Sequence, residues 1–426
     1  MSLLVSFLLV YVFTVFFPFY PFRFAGITFL PLDPIYFLMI LKIGRFALTH
    51  PTSMAKLLRK NSFLTAFLAM VAVYILVGTP FHGQSAIGEA RKDYFFFLIP
   101  LVASLSIKQP EDLRRFVFAI IFAATCVAVV ALARGAIYGT IVRVLGGEQT
   151  LIVAFAAFSL IVHRMHRLVV ISPILDRILL LLFSVIVILS TQRSVMLGVG
   201  FGLVLLMWLY HKRPPLIAKM VMFAGIGVLG LCIVLFTLPG VQSRLAEKFA
   251  GIIDPSDDVT ASWRMEGWRQ QLTRLVQEGH LLFGEGLGGY FHWHFNTVNW
   301  TVVPHNAYVQ IVLKFGLFGL TLYALLALEF FRKTLAGRKK LGPGPMRACI
   351  ELGILNFGAA HAFMLGYGFN PIILIFFAVA TSATNLSQQD LRRFRESRIP
   401  SFREDLKTQP RRFPPPRRGE APPLYS

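Results

Sequence analysis

Long apolar runs almost free of charge dominate this chain: Ile178 to Leu189, Val195 to Leu209 and Ile217 to Leu238. Such runs approach or exceed the roughly 20 residues that cross the hydrocarbon core of a bilayer. Within hydrocarbon every backbone N–H and C=O must find a partner in the chain itself, and a helix provides that. Composition points the same way. Of 426 residues, 56% are hydrophobic and 15% charged, with 41 Phe, which is too little charge for a soluble surface. The expected class is an all-α integral membrane protein.

Scanning the chain gives about twelve candidate transmembrane helices, centred near Val10, Phe37, Met70, Ile99, Ala124, Ala156, Phe183, Leu203, Ile226, Leu317, Leu355 and Phe376. Pro31, Pro34 and Pro100 interrupt the second and fourth. Leu3 to Phe17 has neither a basic leader nor a small-residue cleavage site, so it reads as a retained helix.

The net charge of +21 would suit nucleic acid if it formed one patch. It does not. With the N-terminus in the cytoplasm, the inner loops and tail carry 30 of the 42 Lys and Arg, the positive-inside pattern, with both termini inside. The basic excess is thus a topology signal and an attraction to anionic membrane lipids, and no nucleic-acid partner is expected. Cys126, Cys232 and Cys349 all lie in or beside apolar segments, which suggests neither a disulfide nor a thiolate metal site.

This orientation divides the chain into helices one to nine over residues 1–238, a long periplasmic loop over 239–304, helices ten to twelve over 305–386, and a tail over 387–426. The tail is basic and proline-rich and is expected to be disordered. Within the loop, "SWRMEGWRQQLTRLVQEG" has the pattern of a short amphipathic helix, with Ser262 as N-cap and Gly279 as its stop. The acids of "DPSDD" before it suit the positive end of that helix better than a divalent ion. "LFGEGLGGYFHWHF" follows as a glycine-rich, aromatic loop. Its glycines lack the strand and helix that frame a nucleotide loop.

A few polar groups stand out against this background. Arg193, in "STQRSVMLG", falls where two apolar helices meet at the outer surface, against the general charge bias. A snorkelling anchor is the simpler reading of such an arginine. Arg264 and Arg269 lie on the loop helix, and the planar fork of arginine suits phosphate oxygens. Trp268, four residues after Arg264, shares its face and is positioned to brace it. A solvated helix face is the plainer account of Arg274 and, to a lesser degree, Arg269. His305 and Asn306, in "VVPHNAYVQIVLKFGLFGLTLY", open a membrane helix. A neutral imidazole there can accept a proton near pH 7, while Asn306 can orient a sugar or phosphate; a structural cap is the alternative. Lys314, two turns farther along, is costly in an apolar helix and should face the bundle interior or water. His292 and His294 could join His305 around zinc, but no fourth ligand stands at metal-like spacing, so no metal and no cofactor is expected.

Together, "STQRSVMLGVGFGLVL", the loop with "SWRMEGW" and "LLFGEGLGGY", and "HNAYVQIVLKFGLFGLTLY" resemble the O-antigen ligase and polymerase family, over about Leu189 to Tyr323. The resemblance implies a metal-independent, inverting glycosyltransferase at the outer face of a bacterial inner membrane. Its donor would be an undecaprenyl-diphosphate-linked glycan, and its acceptor the lipid A core for a ligase or a growing glycan for a polymerase. By motif, Arg193, Arg264 and His305 take the family's catalytic positions, with Arg269, Asn306, Trp268 and Lys314 as candidate substrate contacts. The family often has an acid where Lys314 stands, so this chain departs from the pattern there. A transporter or flippase is the rival reading, since about twelve helices with both ends inside is also a transporter plan. Transporters usually bury several charged groups deep in their helices, and Lys314 is the clearest such group here.

Overall fold

The apolar runs form helices, and their flanking residues explain where each begins. The computed structural model describes residues 2–16, 22–24, 27–138, 145–166, 168–169, 171–190, 192–212, 259–289, 291–296, 298–301, 304–342, 344–369 and 371–386. The first half holds α1 (Ser2–Phe16), a hairpin of β1 (Phe22–Phe24) and β2 (Ile27–Phe29), α2 (Asp33–Thr49), α3 (Pro51–Lys60), α4 (Ser62–His82) and α5 (Gln84–Asp93). A 3-10 turn (Phe95–Leu98) then runs into α6 (Ile99–Ser106), followed by α7 (Pro110–Tyr138). The second half holds α8 (Gly147–His166), α9 (Pro173–Leu189), α10 (Arg193–Tyr210), α11 (Val259–Gln277), a hairpin of β3 (His292–Phe295) and β4 (Val298–Thr301), α12 (Ala307–Lys340), α13 (Pro345–Met364) and α14 (Pro371–Asn385).

A helix stands at every expected centre except Ile226, which lies outside the described residues, as does the 387–426 tail. Among the described residues, five helices are long and apolar enough to cross a membrane: α4, α7 over Pro110–Gly135, α8, α10 and α12. This is a multi-pass membrane protein. The other expected segments form helices that are shorter or, in α13, broken in hydropathy by Arg347, Glu351 and Asn356. Pro34 and Pro100 do not interrupt their helices. Each falls in the first turn, where the missing N–H has no partner to lose.

At the centre is α13, buried along nearly its whole length and packed against α10, α12 and α14. A helix buried on all faces belongs to the middle of a bundle. Near one end its Glu351 is fully buried. Arg338 Nε and Arg347 Nε donate to this carboxylate at 2.8 and 2.9 Å, His166 Nε2 lies 2.9 Å away, and the Tyr210 hydroxyl also donates to it. One satisfied carboxylate thus ties α8, α10 and α12 to α13. Toward the other end the core is aromatic: Phe369 packs edge-on to Phe97 and Tyr323, with ring centres 5.9 and 5.6 Å apart.

α12 is not continuous. Gly316 has φ +67°, and the segment Leu281 to Gly289 is laid into the break. Glu285 N donates to Leu313 O at 2.8 Å and Gly286 N to Lys314 O at 3.0 Å, while Leu317 N and Phe318 N donate to Leu281 O and Leu282 O at 2.9 and 3.1 Å. The backbone groups freed by the break are therefore paired by the inserted loop, which is what apolar surroundings demand. The two backbones cross so closely that a Cβ on Gly284 would fall within 2.5 Å of Lys314 O. Tyr74 of α4 donates to Phe283 O at 2.5 Å and clamps the loop from the other side.

Candidate active site

The site is built where α13 ends. Leaving the helix, the chain turns through Leu365, Gly366, Tyr367 and Gly368, and three other elements meet that turn. The first is the start of α10. A Cβ on Gly366 would stand 3.2 Å from Ser194 Cβ, and one on Gly147 would stand 2.6 Å from Gln192 Oε1 and 3.0 Å from the Tyr367 ring. Gln192 and Ser194 thus flank the turn, and Arg193, between them, is the half-buried first residue of α10. An arginine at a helix N-terminus adds its charge to the positive end of the helix dipole.

The second element is α11. It starts at Val259, four residues before the Trp263 start that a cap at Ser262 implies, so Ser262 lies in its first turn and is not its cap. It does stop at Gly279, whose φ is +76°, with His280 N donating to Leu275 O at 2.9 Å. Arg264 Nη1 reaches Gly366 O at 3.4 Å. The adjacent Trp263 ring lies 5.9 Å from His305, 5.1 Å from Trp293 and 5.4 Å from Trp300. Trp263 is therefore the indole at the site, and Trp268 is half-buried farther along the helix. Arg269 points to solvent and grips Glu266 with both arms, at 2.9 and 2.6 Å. Hydrogen bonds from Arg269 and then Gln270 pull the Glu266 carboxyl down to about 2.

The third element is the mouth of α12. Asn306 caps it, accepting from Tyr308 N at 2.9 Å and Val309 N at 3.1 Å, and its Nδ2 donates to Leu365 O at 3.1 Å. Ala307 N donates to Tyr367 O at 3.0 Å. The Asn306 amide is engaged at both ends in joining helix and turn. His305, one residue earlier, is held half-buried between Trp263 and Tyr367, with ring centres 5.9 and 6.2 Å away. Burial and then the charge of Arg264 hold its imidazole below the usual histidine range, so it is neutral at pH 7.

Lys314 is 1% exposed and faces the bundle interior, where its ammonium meets Glu89 Oε2 at 2.8 Å and Gly289 O at 2.7 Å, above the Phe291 ring. Gly288 N donates to the same Glu89 oxygen at 2.7 Å. The lysine therefore anchors the glycine loop to α5, and its donors are taken by protein. Gln310, one turn beyond Asn306, donates to Asp93 at 3.0 Å. Burial pushes that carboxyl up to about 6.

Of the residues singled out in the sequence, Arg264 and His305 converge on the 365–367 turn together with the helix start that carries Arg193. Asn306 supports the arrangement from within, and Arg269, Trp268 and Lys314 stand outside it. Three participants were missed. Trp263 was overlooked beside its charged neighbour, and Tyr367 sits in the unremarkable "LGYGFN". Trp300 belongs to a hairpin, in a stretch whose glycines and aromatics suggest a loop. Its signal was present in the alternation of "HWHF" and "VNWT" around Asn296, which adopts φ +47°.

Residues 178–324 match a family model described as O-antigen ligase. No curated protein matches the chain. The matched stretch holds the start of α10, all of α11, the hairpin and the mouth of α12, the elements that meet the 365–368 turn, while the turn itself lies outside it. Over residues 178–324 the chain is thus similar to the O-antigen ligase family.

Proposed function

We propose that the protein is an inverting glycosyltransferase. It moves an undecaprenyl-diphosphate-linked glycan to a sugar hydroxyl at the outer face of a bacterial inner membrane, as O-antigen ligase or as polysaccharide polymerase. The observation that carries this reading is the approach of Arg264 and His305 to one turn, beside the helix start that bears Arg193.

The chemistry follows from charge. An acceptor hydroxyl attacks the anomeric carbon from the face opposite the diphosphate. Its proton passes to Nε2 or Nδ1 of His305, and the anomeric C–O bond breaks with its electron pair leaving on the diphosphate. Arg193 and Arg264, with the positive end of α10, take up that growing charge, so no metal ion is required. Fixed donors of this kind are worth about 2.7 to 4 kcal/mol each. A neutral His305 is in the correct state to accept the proton. Asn306 and Lys314 act as positioning residues, holding the helix mouth and the glycine loop.

Ligase and polymerase are separated by the surface-glycan profile of a deletion strain. Single repeats on lipid A without long chains mark a polymerase; long chains left on undecaprenyl diphosphate above bare lipid A core mark a ligase. An unchanged profile contradicts both. The break in α12 favours a second reading as a transporter, because transporters bind substrate at such interruptions. Here the break is filled by the 281–289 backbone, so transfer is preferred. Lipid-linked glycan flux in proteoliposomes without any transfer would reverse that preference.

A further inference from the structure

The β3–β4 hairpin has two chemically different faces. Trp293 pairs with Trp300 and Phe295 with Val298 on one, while His292, His294 and Asn299 lie on the other. The apolar face is turned toward α11: Gln270 of that helix brackets the His294 backbone, accepting from its N and donating to its O at 2.9 Å. This packing buries Trp293 to 3% exposure but leaves its cross-strand partner Trp300 at 37%. Trp263 touches both, and its plane stands at 75° to that of Trp300 with ring centres 5.4 Å apart. Two indoles therefore form an open corner, and His305 lies against one of its walls.

We propose that Trp263 and Trp300 form a subsite that holds the acceptor sugar against His305. The inference rests on the transferase reading and names the acceptor's place within it. A pyranose presents an apolar C–H face between polar edges, and an aromatic wall with a nearby polar group is the usual way to orient such a ligand. Its position selects the acceptor. The His305 ring meets Tyr367, on the turn that Arg264 reaches, and separately meets Trp263 of the indole corner. In an inverting displacement the leaving diphosphate and the incoming hydroxyl occupy opposite faces of the anomeric carbon. With the diphosphate at the arginines, the incoming sugar falls at the indoles. A membrane-interface anchor is the alternative role for an exposed tryptophan.

The test uses the full chain in lipid nanodiscs, with Trp300→Ala, Trp300→Phe and, as a control for loss of an exposed indole elsewhere, Trp208→Phe on α10. Two kinds of probe are titrated: the oligosaccharides of both acceptor types, lipid A core and glycan repeat, freed of lipid and diphosphate, and undecaprenyl diphosphate alone. Trp300→Ala is expected to weaken oligosaccharide binding about tenfold, equivalent to about 1.4 kcal/mol. Trp300→Phe should restore most of it, and Trp208→Phe and the sugar-free lipid should show no change. In the transfer reaction, the acceptor KM should rise with Trp300→Ala while the donor KM holds. Unaltered oligosaccharide affinity in Trp300→Ala, absence of oligosaccharide binding by the wild type, or a rise confined to donor KM overturns the subsite. Trp300-dependent oligosaccharide binding in a protein that transfers no glycan supports the subsite and refutes the transferase reading instead.

Discussion

His305 illustrates how far single residues could be read. Its place at the mouth of a membrane helix and its capacity to act as a base followed from type and position, but its neighbours did not, because Trp263 and Tyr367 come from distant parts of the chain. Those neighbours set its titration. Burial and the Arg264 charge both disfavour the imidazolium, so the acid limb of the transfer rate should lie below the ordinary histidine value of about 6.5. Removing one of the two causes should move it upward: in Arg264→Gln, nuclear magnetic resonance of labelled histidine should show His305 titrating at higher pH than in the wild type. A downward move, or none, would mean that the guanidinium does not act on it. Lys314 was read correctly as facing the interior, yet Glu89 could not be foreseen as its partner across more than two hundred residues. Because the pair is buried, Lys314→Met should cost about 3 to 5 kcal/mol by leaving Glu89 uncompensated. Adding Glu89→Gln should recover much of that loss, since the amide still accepts from Gly288. Thermal unfolding of both variants in detergent measures the difference.

Among the elements, the helices were readable because apolar length is a strong signal, and the stop of α11 at Gly279 because glycine favours the conformation a helix end requires. The start of α11 is less legible: Ser262 has the chemistry of a cap, whereas the helix begins at Val259. The break in α12 was hidden for a different reason. Gly316 sits in an unbroken apolar run, and only the loop that fills the gap, about 30 residues earlier in the chain, reveals it. Gly316→Ala or Gly284→Ala should therefore be severe. Each adds the roughly 1 to 2 kcal/mol of a left-handed alanine to a Cβ driven into the opposing backbone. Both variants should lose monodispersity on size exclusion, whereas Gly44→Ala, where a Cβ meets nothing within 4 Å, should behave as wild type.

For the molecule as a whole, we propose that the basic loops face the cytoplasm and His305 the outside. Phosphatase fused after residue 290 should be active and a fluorescent protein at the C-terminus should fluoresce. The reverse pattern would place the site in the cytoplasm, away from any outer-face acceptor. Which helices gather around the 365–368 turn was not readable, since that depends on α13 running through the middle of the bundle and emerging between α10, α11 and α12. Reconstituted transfer shows whether His305 and the arginines act together on a lipid-diphosphate donor, as proposed. Purified wild type, Arg264→Gln and His305→Ala, each folded by size exclusion, would be given undecaprenyl-diphosphate-linked glycan and acceptor, and product formation followed on a gel. The wild type should transfer, and each variant should lose about one hundred to one thousand-fold in rate. Full transfer by folded His305→Ala or Arg264→Gln would contradict that joint action.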